Sequence, residues 1–186
     1  MELYDDRYYI ERVKKGNTEC FACLIDKYSQ QVFTLIVRIV RNREDAEELA
    51  QDVFMKIFRS LHSFKGESNF STWIYRIAYN TAISATRKKQ REILSLEEDS
   101  FSNLSEEVVT NRLNQTHNDE QLAVLDKALE LLSPDDRALI HLFYLKEKTI
   151  EDVSSITGLT ESNVKTKLHR IRKKLYVLFT KLEEQL

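Results

Sequence analysis

Arg76, Asn80, Ser84 and Arg87 follow one another at steps of four, four and three residues, a spacing that gathers them on one stripe of a helix. The chemistry they offer is non-covalent. Arginines hold phosphates, an asparagine amide reads a base edge once the base has left its stack, and Tyr75, Tyr79 and Ile83 lie alongside, the two rings offering faces for stacking. The stripe runs into a basic cluster, Arg87, Lys88, Lys89 and Arg91. An unpaired nucleic-acid strand suits this mixture. A solvated helix face whose basic last turn complements the helix dipole is an equal alternative on composition alone. A second set stands near the C-terminus, where Ser162, Asn163, Lys165, Thr166, His169, Arg170 and Lys173 share one helical face. Short polar residues first and cations along the length match a recognition helix, whose first residues meet base edges while Lys and Arg take phosphates. The alternative there is an ordinary amphipathic C-terminal helix.

Particular elements must position these residues. For the first stripe, Ser71 is expected to cap a helix in which Ile74, Ile77, Ala78, Thr81, Ala82 and Ala85 recur at core spacing. The polar loop Phe64 to Phe70 leads into it, and the single tryptophan, Trp73, is expected in a core or helix contact. Upstream, Tyr4 to Lys15 predicts a short helix closed by Gly16, and Thr18 to Arg41 a long core helix. Asn42 with Asp45 begins a third, in which Ala46, Leu49, Ala50, Val53, Phe54, Ile57, Phe58 and Leu61 repeat at three and four. Its outer face carries Glu44, Glu47, Glu48, Gln51, Asp52, Met55 and Lys56, either plain solvation or a docking face. Periodicity weakens from Leu94 to Asn118, which predicts a linker.

Beyond the linker, Leu122, Leu125, Ala128, Leu129 and Leu132 form one helix, and Ser133-Pro134-Asp135-Asp136 opens the next, running to about Lys146. Thr149 opens a short helix with Val153 and Ile156 that stops at Gly158. Thr160 then caps the last helix, with Val164, Leu168, Ile171, Leu175 and Leu178 facing inward. Helix, glycine turn and helix make a helix-turn-helix.

The whole chain has 186 residues, 42% apolar and 31% charged, with three glycines and one proline. So few turn residues argue against hairpins, and the expected fold class is all-α, two small helical domains joined by an acidic flexible linker. A net charge of −2 conceals segregation: between Glu92 and Asp126 stand nine acids and one base, Arg112, with basic clusters on either side. The charged N-terminus does not resemble a signal peptide, and the most apolar run, Val32 to Val40, is broken by Arg38. A cytoplasmic location with no membrane insertion is expected. Cys20 and Cys23 are expected as reduced, partly buried thiols, with redox or metal chemistry as the alternative. His62, His117 and His141 lack ligand-spaced partners. No glycine-rich phosphate loop, zinc set or nucleophile and base constellation appears, so an enzyme acting on a small-molecule substrate is not expected, nor is any metal or cofactor.

The run Asp45-Ala-Glu-Glu-Leu-Ala-Gln-Asp-Val-Phe-Met-Lys-Ile-Phe, the run Phe64-Lys-Gly-Glu-Ser-Asn-Phe-Ser-Thr-Trp-Ile-Tyr-Arg-Ile-Ala-Tyr-Asn-Thr-Ala and the segment from Leu132-Ser-Pro-Asp-Asp-Arg through Thr149 to Leu175 resemble the extracytoplasmic-function (ECF) sigma factors of bacterial RNA polymerase. The resemblance implies a non-enzymatic initiation subunit in three parts: region two over residues 1–91, a linker over 92–118, and region four, the helix-turn-helix, over 119–186. By it, Phe64 and Asn80 line a pocket for a flipped base of the minus ten element, with Arg76, Ser84, Arg87 and Lys88 beside it. Glu48, Gln51, Asp52 and Met55 dock on core RNA polymerase. Ser162, Asn163, Lys165, Thr166, His169, Arg170 and Lys173 meet the minus thirty-five element of promoter DNA. An anti-sigma factor is the implied regulatory partner. A stand-alone helix-turn-helix regulator, or an adaptor with incidental basic patches, is the competing expectation.

Overall fold

A computed structural model describes residues 5–89 and 119–185 of the chain, and among them every regular element is helical. The expected linker, 92–118, and the basic residue Arg91 lie outside the described residues. Two compact units are distinguished, the first taking in the described residues up to Lys89 together with Ser155–Gly158, the second the remaining described residues.

The first unit holds α1 (Asp6–Lys14), α2 (Cys20–Val40), α3 (Arg43–Ser60) and α4 (Phe70–Lys89), with a single 3-10 turn at Leu61–Ser63. Helix α2 is the central member and packs on the other three. Its Leu24, Leu35, Ile36 and Ile39 are buried with Val53 and Ile57 of α3 and Ile74, Ala78 and Ala82 of α4. The apolar repeat at three and four therefore forms the helices by giving each a face to bury. The joint between α2 and α3 is sharp because Arg41 takes the left-handed conformation (φ 58°) and the Asn42 side chain accepts a hydrogen bond from the Asp45 amide at 2.9 Å. Helix α4 begins at Phe70, so Ser71 lies inside its first turn rather than before it.

Helix α1 is tied down by polar contacts. The Tyr28 hydroxyl donates to Asp6 Oδ2 at 2.6 Å, Lys27 Nζ lies 2.6 Å from Asp6 Oδ1, and Lys14 Nζ donates to the Phe64 carbonyl at 2.6 Å. Burial, and then the hydrogen bond to Asp6, push the Tyr28 phenol well above its ordinary range, and burial pushes Tyr75 up to about 12. Raised phenol values make the neutral form the native one, so this stability is fully present below about pH 10 and is lost as pH rises through the folded values. Denaturant unfolding at pH 11 should therefore give a lower free energy than at pH 9, with a shallower fall in Tyr75→Phe. An identical fall in wild type and Tyr75→Phe would contradict this assignment.

Beyond Lys89 the described elements are α5 (Asp119–Glu130), α6 (Pro134–Ile140), α7 (Ile150–Thr157) and α8 (Glu161–Glu183). Ser133, Thr149 and Thr160 each accept from the amide three residues on, at 3.2, 3.0 and 3.2 Å, so all three expected caps are present. Helix α6 continues into a π turn over His141–Leu145, in which the Lys146 amide bonds the His141 carbonyl at 3.0 Å. Gly158 (φ 77°) makes the turn between α7 and α8, and Ser154 Oγ donates across it to the Leu159 carbonyl at 2.6 Å. Val164, Leu168, Ile171 and Leu175 of α8 are buried as expected, but the next inward position is Phe179, not Leu178. At 3.6 residues per turn the buried stripe drifts, and a final step of four keeps the larger ring inside.

Candidate nucleic-acid interface

Helix α4 is buried on two sides. Ile74, Ala78, Thr81 and Ala82 face the core as expected, but Tyr75, Tyr79 and Ile83 are only 2%, 6% and 4% exposed. The Tyr75 hydroxyl donates to Gln31 Oε1 of α2 at 3.1 Å. These rings therefore belong to the core and offer no stacking faces, a correction to the sequence expectation. Arg76, Asn80, Ser84 and Arg87 remain as one exposed strip. Lys88 lies in the same helix, close to its end, and its side chain is outside the described part.

A groove of about 500 Å³ runs beside the strip. Helix α4 contributes Ile77, Asn80, Thr81 and Ser84, and α3 contributes Lys56, Arg59 and Ser60. Lys56 Nζ crosses it to donate to Thr81 Oγ1 at 3.1 Å.

Phe64 is placed elsewhere. Its half-buried ring meets Phe70 edge-on (centroids 5.2 Å) and Trp73 at a tilt (5.2 Å), while Trp73 stacks on Phe70 at 5.7 Å. Phe64 is not among the residues that line the groove with Asn80. It anchors the base of the loop, and Lys65 to Asn69 are the exposed part.

On α3, Glu48, Gln51, Asp52 and Met55 all face solvent, Met55 with 52% of its surface exposed. On α8, Ser162, Asn163, Lys165, Thr166 and Arg170 are exposed and His169 and Lys173 half-buried, so the seven expected residues share the outward side. The Thr166 hydroxyl donates back to the Ser162 carbonyl at 3.0 Å, which fixes its rotamer.

Lys56 and Arg59 were missed in the sequence because the outer face of α3 reads there as one acidic surface. The change of sign after Asp52 was the available signal. Cys20 and Cys23 are free, half-buried thiols, and no metal-binding group of three or more His, Cys, Asp or Glu occurs among the described residues. Nor is any helix among them long and apolar enough to cross a membrane.

Two family descriptions match the chain, Sigma-70 region 2 over residues 24–92 and Sigma-70, region 4 over residues 122–175. The ECF RNA polymerase sigma factor SigW of Bacillus subtilis (strain 168) is 31% identical over 180 residues, covering 89% of this chain and 92% of its own. The ECF RNA polymerase sigma-E factor of Escherichia coli (strain K12) is 30% identical over 177 residues, 92% of each chain. Among solved structures, the sigma factor RpoE of Bartonella quintana, in complex with the anti-sigma factor NepR, superposes with a TM-score of 0.62 at 24% identity, covering 86% of this chain and 96% of that one. The exposed strip of α4 and the acidic face of α3 fall within the first matched region and the helix-turn-helix within the second, and the chain belongs to the ECF sigma factors of the sigma-70 family.

Proposed function

We propose that this sigma factor binds core RNA polymerase through Glu48, Gln51, Asp52 and Met55 of α3, and engages the minus ten element through Arg76, Asn80, Ser84, Arg87 and Lys88 of α4. The observation that carries this is the exposed strip of α4: on a helix otherwise packed, the residues left to solvent are those able to grip phosphates and read an extruded base. The loop held by Phe64 supports the same site from its N-terminal end. In this division residues 1–91 are region two, 119–186 region four, and 92–118 the connection between them.

Helix α8 reads the minus thirty-five element as duplex. Ser162, Asn163, Lys165 and Thr166 stand in its first two turns, where a recognition helix meets base edges, and His169, Arg170 and Lys173 continue along the backbone. The protein acts in the cytoplasm, where its polymerase and promoters are, and takes neither metal nor nucleotide. Its activity is held in check by an anti-sigma factor, as the pairing of RpoE with NepR suggests by kinship.

Upstream-element binding tests the division of labour. Lys165→Ala should weaken holoenzyme binding to a duplex carrying the minus thirty-five element by about 5–10-fold and lower the salt dependence by about one contact. Opening of a template with its minus ten region already unpaired should change less. Unaltered duplex binding would remove α8 from this role.

A further inference from the structure

Helix α1 braces both ends of the loop that precedes α4. At the entry, Lys14 Nζ donates to the Phe64 carbonyl, fifty residues on, at 2.6 Å, and stands 6.0 Å from the centroid of the Phe64 ring. The Phe64 amide donates to the Leu61 carbonyl at 3.1 Å, so both backbone groups of Phe64 are engaged. At the exit, Tyr28, whose hydroxyl is bonded to Asp6 of α1, sets its ring edge-on to Phe70 at 5.8 Å, and the Trp73 amide donates to the Asn69 carbonyl at 3.1 Å. Between these anchors residues 65–68 make no hydrogen bond or ion pair among the described residues. The position of the loop is therefore set from its two ends.

A lysine in the last turn of a helix needs no special account, since its charge complements the dipole. The neighbouring cations show what this alone produces. Lys15 is exposed, and Arg12 lies over the ring of Tyr8 in the same helix, 5.1 Å from its centroid. Lys14 is instead half-buried, holds no carboxylate among the described residues, and aims its amine at one main-chain oxygen. A hydrogen bond from a charged donor is roughly twice as strong as a neutral one. It fixes the peptide from which the exposed part of the loop departs, and a shift there would carry the loop with it.

We infer that Lys14 is a positioning residue for minus ten specificity: from α1 it fixes the Phe64 peptide, and so sets where residues 65–69 present themselves to the promoter. The inference rests on the proposed function of the first unit and adds to it a residue of α1 that acts through the loop rather than by meeting DNA. Its signature is a loss of discrimination between bases with little loss of overall grip, because the phosphate contacts proposed for α4 are left in place.

The test uses full-length protein assembled with core polymerase, on promoters that differ at each minus ten position in turn. A wild type that opens all of them equally would sink the proposed function of the first unit, whatever Lys14 does. Glu67→Ala with Ser68→Ala identifies the position that the loop reads, as the one whose base preference falls; no change in any preference would overturn the inference at its premise. Lys14→Met keeps the stem and removes the donor. At the identified position it should lower the ratio of opening between the preferred and the least favoured base by about 10-fold, within the range that one mismatched position costs. Preferences at the other positions, the salt dependence of binding and the affinity for core polymerase should be unchanged. Lys14→Arg keeps a cationic donor of similar reach and should discriminate as the wild type does. Arg12→Gln, which removes a charge from the same end of α1 but not the bond to Phe64, should do likewise. Wild-type discrimination in Lys14→Met would overturn the inference, as would an equal loss in Lys14→Arg or Arg12→Gln. So would a uniform loss at every position that follows a fall in melting temperature, which would make Lys14 a contact of the fold alone.

Discussion

Reversing Glu48 and Asp52 together to lysine is expected to lower affinity for core RNA polymerase by about 100-fold or more while leaving the melting temperature nearly unchanged. Both carboxylates are exposed and one turn apart on α3, and neither holds an ion pair or hydrogen bond among the described residues. Surface substitutions of this kind change folding free energy by about 0.5 kcal/mol or less. Against a complementary basic partner each reversal replaces attraction with repulsion, and like charges brought together cost several kcal/mol. About 2.8 kcal/mol suffices for 100-fold. Met55 remains in the variant, so residual binding would report the apolar part of the contact. Competition between labelled wild type and the variant for limiting core enzyme measures this, and equal competition would return the face to plain solvation.

The second large effect is on promoter opening. Asn80→Ala should reduce the equilibrium for opening by about 10–100-fold, the equivalent of about 1–3 kcal/mol for a lost amide-to-base contact. Closed-complex binding to duplex should stay within about twofold. Asn80 is exposed, so alanine leaves no cavity, and alanine is the better helix former at that position. The loss is therefore one of contact, not of fold. Equal losses in duplex binding and in opening would count against Asn80 as a reader of the melted strand.

The fold was legible in the sequence to the extent that caps and apolar periods specify it. Asn42, Ser133, Thr149 and Thr160 all cap where their spacing to the next acid or amide indicates. What periodicity misjudged was the width of the buried stripe. In α4 the tyrosines at 75 and 79 fall beside the polar strip on a helical wheel, and only the packing of α2 against that side turns them inward. A ring with a hydroxyl suits either environment, and residue type alone does not choose. Phe64 carries no hydroxyl, and its placement was illegible for another reason: its ring partners, Phe70 and Trp73, follow from the turn of the loop and not from helical spacing. For the candidate site, the strip of α4 and the face of α8 were visible because each lies on one helix. The groove was not, because its second wall comes from α3, about twenty residues earlier in the chain.

As a sigma factor, the protein gives core polymerase a promoter preference it lacks alone. Purified protein and core enzyme, incubated with a library of randomised promoters and sequenced for transcript starts, measure this directly. The expected result is initiation that requires the protein and that enriches two sequence elements at a fixed separation. Addition of Asn80→Ala should lower the yield from that same set. Transcription that is indifferent to the protein, or tight sequence-specific duplex binding by the protein with no dependence on polymerase, would contradict the account.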